Sequence, residues 1–323
     1  MGKFFRHAFV AAVTLAAAPV AAQAPAPETP AETRPAAPRP VPPRAFRTPE
    51  DGFAALLAAI RADDEGALLG ILGSAGRRLV RSGDAVADRA ARGAVAAAYA
   101  VRNEIIRPSP DRAVLQLGDD AWPLPIPMVR RAGAWRFDTA AATQEIADRR
   151  IGRNELDTIE TLRAMADAQA DFARTAGRSG ALRAYARRFF STPGQRDGLY
   201  WPTGEGEAES PLGPIAAAAS AGGYGRRQGG AGPQPYHGYV YRILERQGPA
   251  ARGGAFDYVV NGRMIGGFAI VATPAQYGSS GIKTFMISHE GVVWEQDLGP
   301  DTARLAAAIA AFDPGEGWTR VEE

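Results

Sequence analysis

The stretch from Tyr236 to Leu298 constrains the fold more than any other part of this chain. It reads YHGYVYRIL, then FDYVVNGRMIGGFAIVATPAQYG, then SSGIKTFMISHEGVVWEQDL. Glycine and proline divide it into segments rich in β-branched and aromatic residues: Tyr239–Leu244, Phe256–Asn261, Gly267–Ala272, Thr284–Ser288 and Val292–Gln296. Such segments bounded by turn-formers predict strands. Asn261-Gly262 and Glu290-Gly291 suit tight hairpin turns. An antiparallel sheet follows, and a sheet with an apolar face needs a cover.

The cover is predicted just upstream. Leu156, Ile159, Leu162, Met165, Ala166 and Phe172 recur at helical spacing up to about Arg174, behind Asn154 as a cap. A separate helix over Ala140–Ile151 is expected to stop at Gly152. Shorter helices are expected at Ala181–Phe190, Ile215–Ala221 and Asp301–Phe312. Residues 140–318 therefore predict a domain of a helix spine on an antiparallel sheet.

Residues 48–139 predict a smaller unit. Thr48 caps a helix with Pro49 at its first position, and Phe53, Leu56, Leu57 and Ile60 share one face. A second helix spans Glu65 to Leu72 and stops at Gly73, and a third runs from Asp84 to Tyr99. Strands follow at Ala113–Leu117, Leu124–Arg130 and Ala134–Phe137, the last two joined across Ala132-Gly133. The expected class is α+β, in two domains that each pack helices on an antiparallel sheet. A hydrophobic content of 46% suffices for such cores.

The first 22 residues have the pattern of a secretory signal: basic Lys3, Arg6 and His7, an apolar Ala8–Ala18, then small residues at Val20-Ala21-Ala22. Export to the periplasm or beyond is expected, with no transmembrane segment in the mature chain. Residues 23–47 carry eight prolines and read as a linker. Cleavage after Ala22 removes two basic residues and leaves 35 against 35 acidic, a balance that argues against nucleic acid as a partner. The absence of cysteine excludes disulfides, thiol nucleophiles and thiolate ligands. Lys283 is the single lysine left after cleavage.

RRIGRNELD (149–157), STPGQRDGLYWP (191–202), SPLGP (210–214), YHGYVYRIL (236–244), FDYVVNGRMIGGFAIVA (256–272) and QDLGPDTARLAAA (296–308) recur here in one order. With these phrases the chain resembles the bacterial domain-of-unknown-function 2950 family over residues 46–318. The resemblance implies an exported bacterial protein and no established activity. Two looser likenesses concern fold alone. PIPMVRRAGAWRFD is similar to the closing hairpin of nuclear transport factor 2-like or cystatin-like domains. YGSSGIKTFMISHEGVVWEQDLG resembles the closing strands of pilin and pseudopilin heads, although the hydrophobic pilin helix is missing.

Few residues are suited to chemistry. Two histidines lie beyond the signal, His237 between Tyr236 and Gly238, and His289 in a turn. His237 could serve as a base or ligand contact, against a plain hydrogen-bonded role. No metal-ligand spacing, nucleophile elbow, P-loop or dinucleotide fingerprint is present, so no cofactor, metal or catalytic residue is expected. In Arg196-Asp197-Gly198-Leu199-Tyr200-Trp201-Pro202, a guanidinium, a carboxylate and two aromatics suit a sugar or a peptide terminus. The competing reading has Tyr200 and Trp201 plug the edge between the spine helix and the sheet and pairs Arg196 with Asp197 in a local ion pair. Arg263 could join a binding surface or a buried pair with Asp257. The candidate ligand set is thus Arg196, Asp197, Tyr200, Trp201, Tyr236, His237 and Arg263. The expected role is a non-enzymatic binding or assembly module of the cell envelope, partnered by an envelope protein or glycan. The alternative is a periplasmic hydrolase acting on envelope material.

Overall fold

The computed structural model describes residues 41–222, 224 and 234–322. The expected signal peptide (1–22), most of the linker (23–40) and most of the glycine-rich run at 222–232 lie outside the described residues. The class is α+β, with helices packed on antiparallel sheets. Among the described residues no helix is long and apolar enough to cross a membrane.

The first layer opens with α1 (Pro49–Arg61), whose N-cap Thr48 accepts a bond from the Asp51 amide. Next come α2 (Glu65–Leu72), closed by Gly73, a short α3 (Arg77–Val80) and α4 (Ala85–Val101), capped by Asp84. These helices face a sheet of β1 (Asn103–Ser109), β2 (Arg112–Leu117), β3 (Trp122–Pro123), β4 (Met128–Arg131) and β5 (Ala134–Phe137). Its order is β1-β2-β4-β5, with β3 also on β2. Along β2, Ala113, Leu115 and Leu117 are buried while Val114 and Gln116 are only partly so, the alternation of a sheet covered on one face. The inward residues join Phe53, Leu56, Leu68, Met128 and Phe137 in one hydrophobic cluster. Strand β1 has no counterpart among the expected strands. Its polar start and Pro108 hide it, and it lies at a sheet edge, where proline is tolerated. The last residues of the expected linker are docked: Phe46 is buried and exchanges backbone bonds of 2.8 and 3.0 Å with Trp135.

Helix α5 (Thr139–Arg174) corrects the expectation of two helices broken at Gly152. Gly152 is an interior residue of one 36-residue helix, and a Cβ there would meet nothing within 4 Å. A mid-helix glycine costs only about 1 kcal/mol, which the contacts on either side offset. Asn154 accordingly is no cap; its side chain donates to the Ser280 carbonyl at 2.8 Å.

The second sheet contains β8 (Tyr239–Leu244), β13 (Ala269–Pro274), β14 (Lys283–Ser288), β15 (Val293–Asp297) and β16 (Thr319–Arg320), in the order β16-β15-β14-β13-β8. Short pairs surround it: β6 (Arg178–Ser179) with β7 (Leu182–Arg183), β9 (Arg246–Gln247) with β10 (Phe256–Asp257), and β11 (Val259–Val260) with β12 (Arg263–Met264). The expected single strand Phe256–Asn261 is split between β10 and β11, because Tyr258 turns fully inward and its backbone bonds Glu245, Ile265 and Gly266. Asn261 and Gly262, with φ of 49° and 76°, form the expected tight turn of β11–β12.

This sheet is covered on both faces. Tyr241 of β8 donates to Thr158 of α5, whereas the next residue, Arg242, donates to the carbonyls of Ala306 and Ile309. Successive side chains on a strand point to opposite faces, so α7 (Thr302–Ala308) and the turn after it lie across the sheet from α5. That explains the near-continuous burial of β13 and β14. Helix α7 ends earlier than the expected Phe312, which pairs with Gln247. The expected helix at Ala181–Phe190 is irregular after β7. Buried Gln169 of α5 satisfies both backbone groups of Ala186 at 2.8 and 2.9 Å, and Tyr185 bonds Met264. Tertiary partners there replace helical ones. Residues Gly213–Ala221 form α6 as expected.

Gly281 sits where a Cβ would fall on the hydroxyl of Tyr239, a fully buried side chain that donates to the Lys283 carbonyl. We expect Gly281→Ala to destabilise the protein by about 2 kcal/mol or more, measured by urea unfolding, while Gly152→Ala leaves stability unchanged or raises it by up to ~1 kcal/mol.

Candidate functional site

The candidate site residues from these phrases gather at two places along α5, apart from Arg263. The first is a polar knot at its N-terminal half. Arg150, Asn154, Asp157 and Thr158 follow one another at helical spacing and share a face. Arg150 donates to the carbonyls of Arg78 and Ser279 at 2.6 and 3.0 Å and to the Ser279 hydroxyl at 3.2 Å. Burial pulls its pKa down, opposed by the Asp88 carboxylate 4.0 Å away; an arginine remains charged through such a shift. Burial likewise pushes the Asp88 carboxyl up, opposed by the Ser82 amide and Arg150. Glu155 accepts from the amides of Ile282 and Lys283 at 2.9 and 3.0 Å.

Asp84 forms the other side of the knot. Its buried carboxylate caps α4 through the amides of Val86 and Ala87 and also accepts from the Tyr224 hydroxyl at 2.8 Å and the Gly238 amide at 2.9 Å. Burial, then the bond to Asp84, pushes the Tyr224 phenol well above its ordinary range. Gly238 belongs to a tight turn in which Tyr236 and Tyr239 exchange backbone bonds and His237 and Gly238 take φ of 51° and 74°. That turn aims the His237 imidazole at Asp157, with Nδ1 3.3 Å from the carboxylate. Tyr236 lies against it, ring centroids 4.1 Å apart. His237 is half-buried, so the dyad is open to solvent.

The second place is the loop 191–202. Pro193 and Gly194 form the middle of a turn closed by the bond from the Gln195 amide to the Thr192 carbonyl, with Gly194 at φ 77° as a type II turn requires. Asp197 is consumed inside the loop. Its carboxylate accepts from the Thr192 amide and hydroxyl at 2.7 and 2.8 Å and lies 3.3 Å from Arg188. The Thr192 amide, then its hydroxyl and Arg188, hold the Asp197 carboxyl below its ordinary range. Arg196 does not pair with Asp197; its guanidinium lies 5.6 Å from the Trp201 ring centroid and contacts Glu207 at 3.4 Å. Trp201 is buried in the second core with Leu199 and Leu212. Tyr200 stacks edge-on against Phe190 at 5.9 Å. Residues 191–196 and 200–202 line an open hollow of about 350 Å³.

The structure thus brings Arg196, Tyr200 and Trp201 together at the hollow, and Tyr236 and His237 together at the knot. The two groups do not meet. The knot engages α5 at Asp157 and the segment leading into the hollow engages it at Gln169. Twelve residues of helix separate these positions, about 18 Å. Arg263 lies in the β11–β12 hairpin and Asp257 in β10, where it is 4.0 Å from Arg246, so the two do not form the pair considered above. His289 is an exposed turn residue beside Tyr258. Among the described residues, no group of three or more His, Asp and Glu is placed to hold a metal ion. Sequence reasoning missed Asp84, Arg150 and Asp157. Arg150 and Asp157 stand within RRIGRNELD, and the signal that could have found them is their helical spacing once Gly152 is accepted inside the helix.

The sequence matches the family described as Protein of unknown function (DUF2950) over residues 43–321. No curated protein and no solved structure matches the chain, so the likenesses to nuclear transport factor 2-like domains and to pilin heads find no support there.

Replacing Asp84 with alanine removes a helix cap and leaves the Tyr224 hydroxyl and the Gly238 amide without their acceptor. The expected loss is about 3 kcal/mol or more, from a cap worth ~1 kcal/mol and two stranded donors at ~1–3 kcal/mol each. Thermal unfolding followed by circular dichroism checks it; a variant as stable as the parent would remove the knot from the fold's support.

Proposed function

This chain belongs to the DUF2950 family, and we propose that it acts as an exported binding module of the bacterial cell envelope whose contact surface is the hollow of loop 191–202. The observation that carries this reading is the Arg196 guanidinium held over Trp201 at the rim of that hollow. A planar cation on an aromatic face offers a fixed donor fork beside an apolar platform. Beside buried Trp201, Tyr200 adds an aromatic that is only half-buried. Envelope glycans and peptide ends present acceptors and apolar faces of that size. The balanced charge of the chain after cleavage, 35 basic against 35 acidic residues, supports a neutral or locally charged ligand over a polyanion. The N-terminal signal pattern supports export.

A second reading, a periplasmic hydrolase acting on envelope material, is favoured by one observation. His237 Nδ1 lies 3.3 Å from the Asp157 carboxylate, and among the described residues the other imidazole nitrogen has no hydrogen-bond partner, as a general base requires.

Envelope fractions passed over the immobilised full chain separate the two. The binding reading expects retained material that is lost with Arg196→Ala or Tyr200→Ala and kept with His237→Ala, since His237 stands apart from the hollow. Release of new reducing ends or free amines by the parent, abolished in His237→Ala, would establish the hydrolase in its place.

A further inference from the structure

We propose that the hollow takes the carboxylate end of an acidic ligand, and that Glu207 holds that carboxylate's place while the hollow is free. The inference rests on the reading of loop 191–202 as a binding surface and adds the ligand's chemistry to it. The polar groups there are unequally committed. Asp197, the carboxylate of the loop, is closed off by Thr192 and Arg188. The charged side chain that lines the hollow is Arg196. Arg196 keeps its fork toward one acceptor, Glu207 Oε2, at 3.4 Å. The Gly204 amide reaches the same oxygen at 3.5 Å. Both contacts are at the long limit of hydrogen bonding, and the arginine and glutamate side chains are 59% and 51% exposed. Exposed pairs of this kind are weak and readily exchanged. Arg196 thus already coordinates a carboxylate of the chain's own, in a geometry that an incoming carboxylate can take over and improve by a bidentate contact.

Trp201 supplies the second, independent observation. It lines the hollow and is 8% exposed, and its indole N–H has no acceptor among the described residues. A buried donor without a partner is unfavourable, and because the indole nitrogen is itself covered, a ligand acceptor relieves it only where the rim side chains give way. The guanidinium lies 5.6 Å from the indole centroid, so a ligand end bound by Arg196 comes to rest beside the indole. The shared chemistry is a carboxylate beside a small apolar or ring group. A peptide C-terminus and an acidic sugar both carry it.

The test uses the full chain labelled with nitrogen-15, with the Trp201 indole resonance assigned by Trp201→Phe. Four probes are titrated: N-acetyl-Ala-Ala, its C-terminal amide, digalacturonic acid and its methyl ester. The expected result is a saturable shift of the Trp201 indole signal by at least one of the free acids, with its blocked form at least tenfold weaker. Whichever acid acts identifies the source. Arg196→Gln is expected to weaken binding at least tenfold, and Glu207→Gln to tighten it several-fold by removing the competitor. Equal binding of acid and blocked form, or an unchanged affinity in Glu207→Gln, overturns the carboxylate inference and leaves the hollow a binding surface. If envelope material is retained through Arg196 yet no free acid shifts the indole, the inference fails in the same way. If neither the probes nor envelope material engages the loop, the underlying reading fails as well.

Discussion

The row of side chains that α5 sends into the loop before β14 is the constraint on which the rest of this molecule depends. Residues 275–282 are largely irregular, and their backbone groups lie close to the core. Such groups must find partners or carry a desolvation cost. Arg150, Asn154 and Glu155 supply those partners in succession, to Ser279, Ser280, and Ile282 with Lys283. The same arginine reaches the Arg78 carbonyl of the first layer. One helix therefore fixes where both sheets lie along it. Below this polar half the stripe turns apolar, with Leu162, Met165 and Phe172 in the second core. The division of one helical face into a polar and an apolar half lets a single element serve as clamp and as cover.

Local chemistry made much of this fold readable in advance. Thr48 with Pro49, Gly73 and Asn261-Gly262 act where their backbone preferences place them, and Gly133 at φ 78° turns the β4–β5 hairpin although Ala132 beside it is forced to φ 50°. Strand Tyr239–Leu244 and helix Glu65–Leu72 coincide with their expected bounds. Misreadings arise where distant partners override local preference. Gly152 resembles a helix stop, yet the anchors at Arg150 and Asn154 hold the helix through it. Ala184 and Ala186 are good helix formers, but a buried glutamine and a neighbouring hairpin claim the backbone around them.

The candidate site was legible in part for the same reason. The aromatic and charged composition of loop 191–202 marked it as a surface of interest, and Arg196, Tyr200 and Trp201 do line one hollow. Composition does not say which charge is spent. Asp197 looked available and is tied to Thr192, whereas Arg196 looked paired with it and is not. His237 illustrates the opposite case. Its left-handed backbone serves a tight turn, and that turn aims the imidazole at Asp157, a residue 80 positions earlier whose only mark in the sequence is its helical spacing from Arg150 and Asn154.

The separations bridged by the knot govern the order in which the chain can assemble. Asp84 and Gly238 are 154 residues apart, and Arg150 and Ser279 are 129 apart. Contacts that close such long loops form late, after local helices and hairpins have lowered the entropy left to lose. The Asp84 carboxylate that caps α4 thus gains two of its donors only when Tyr224 and Gly238, 140 and 154 residues later, have arrived. A chain that stops short of Gly238 lacks this closure, so the first layer completes its bonding only once the turn before β8 has been made.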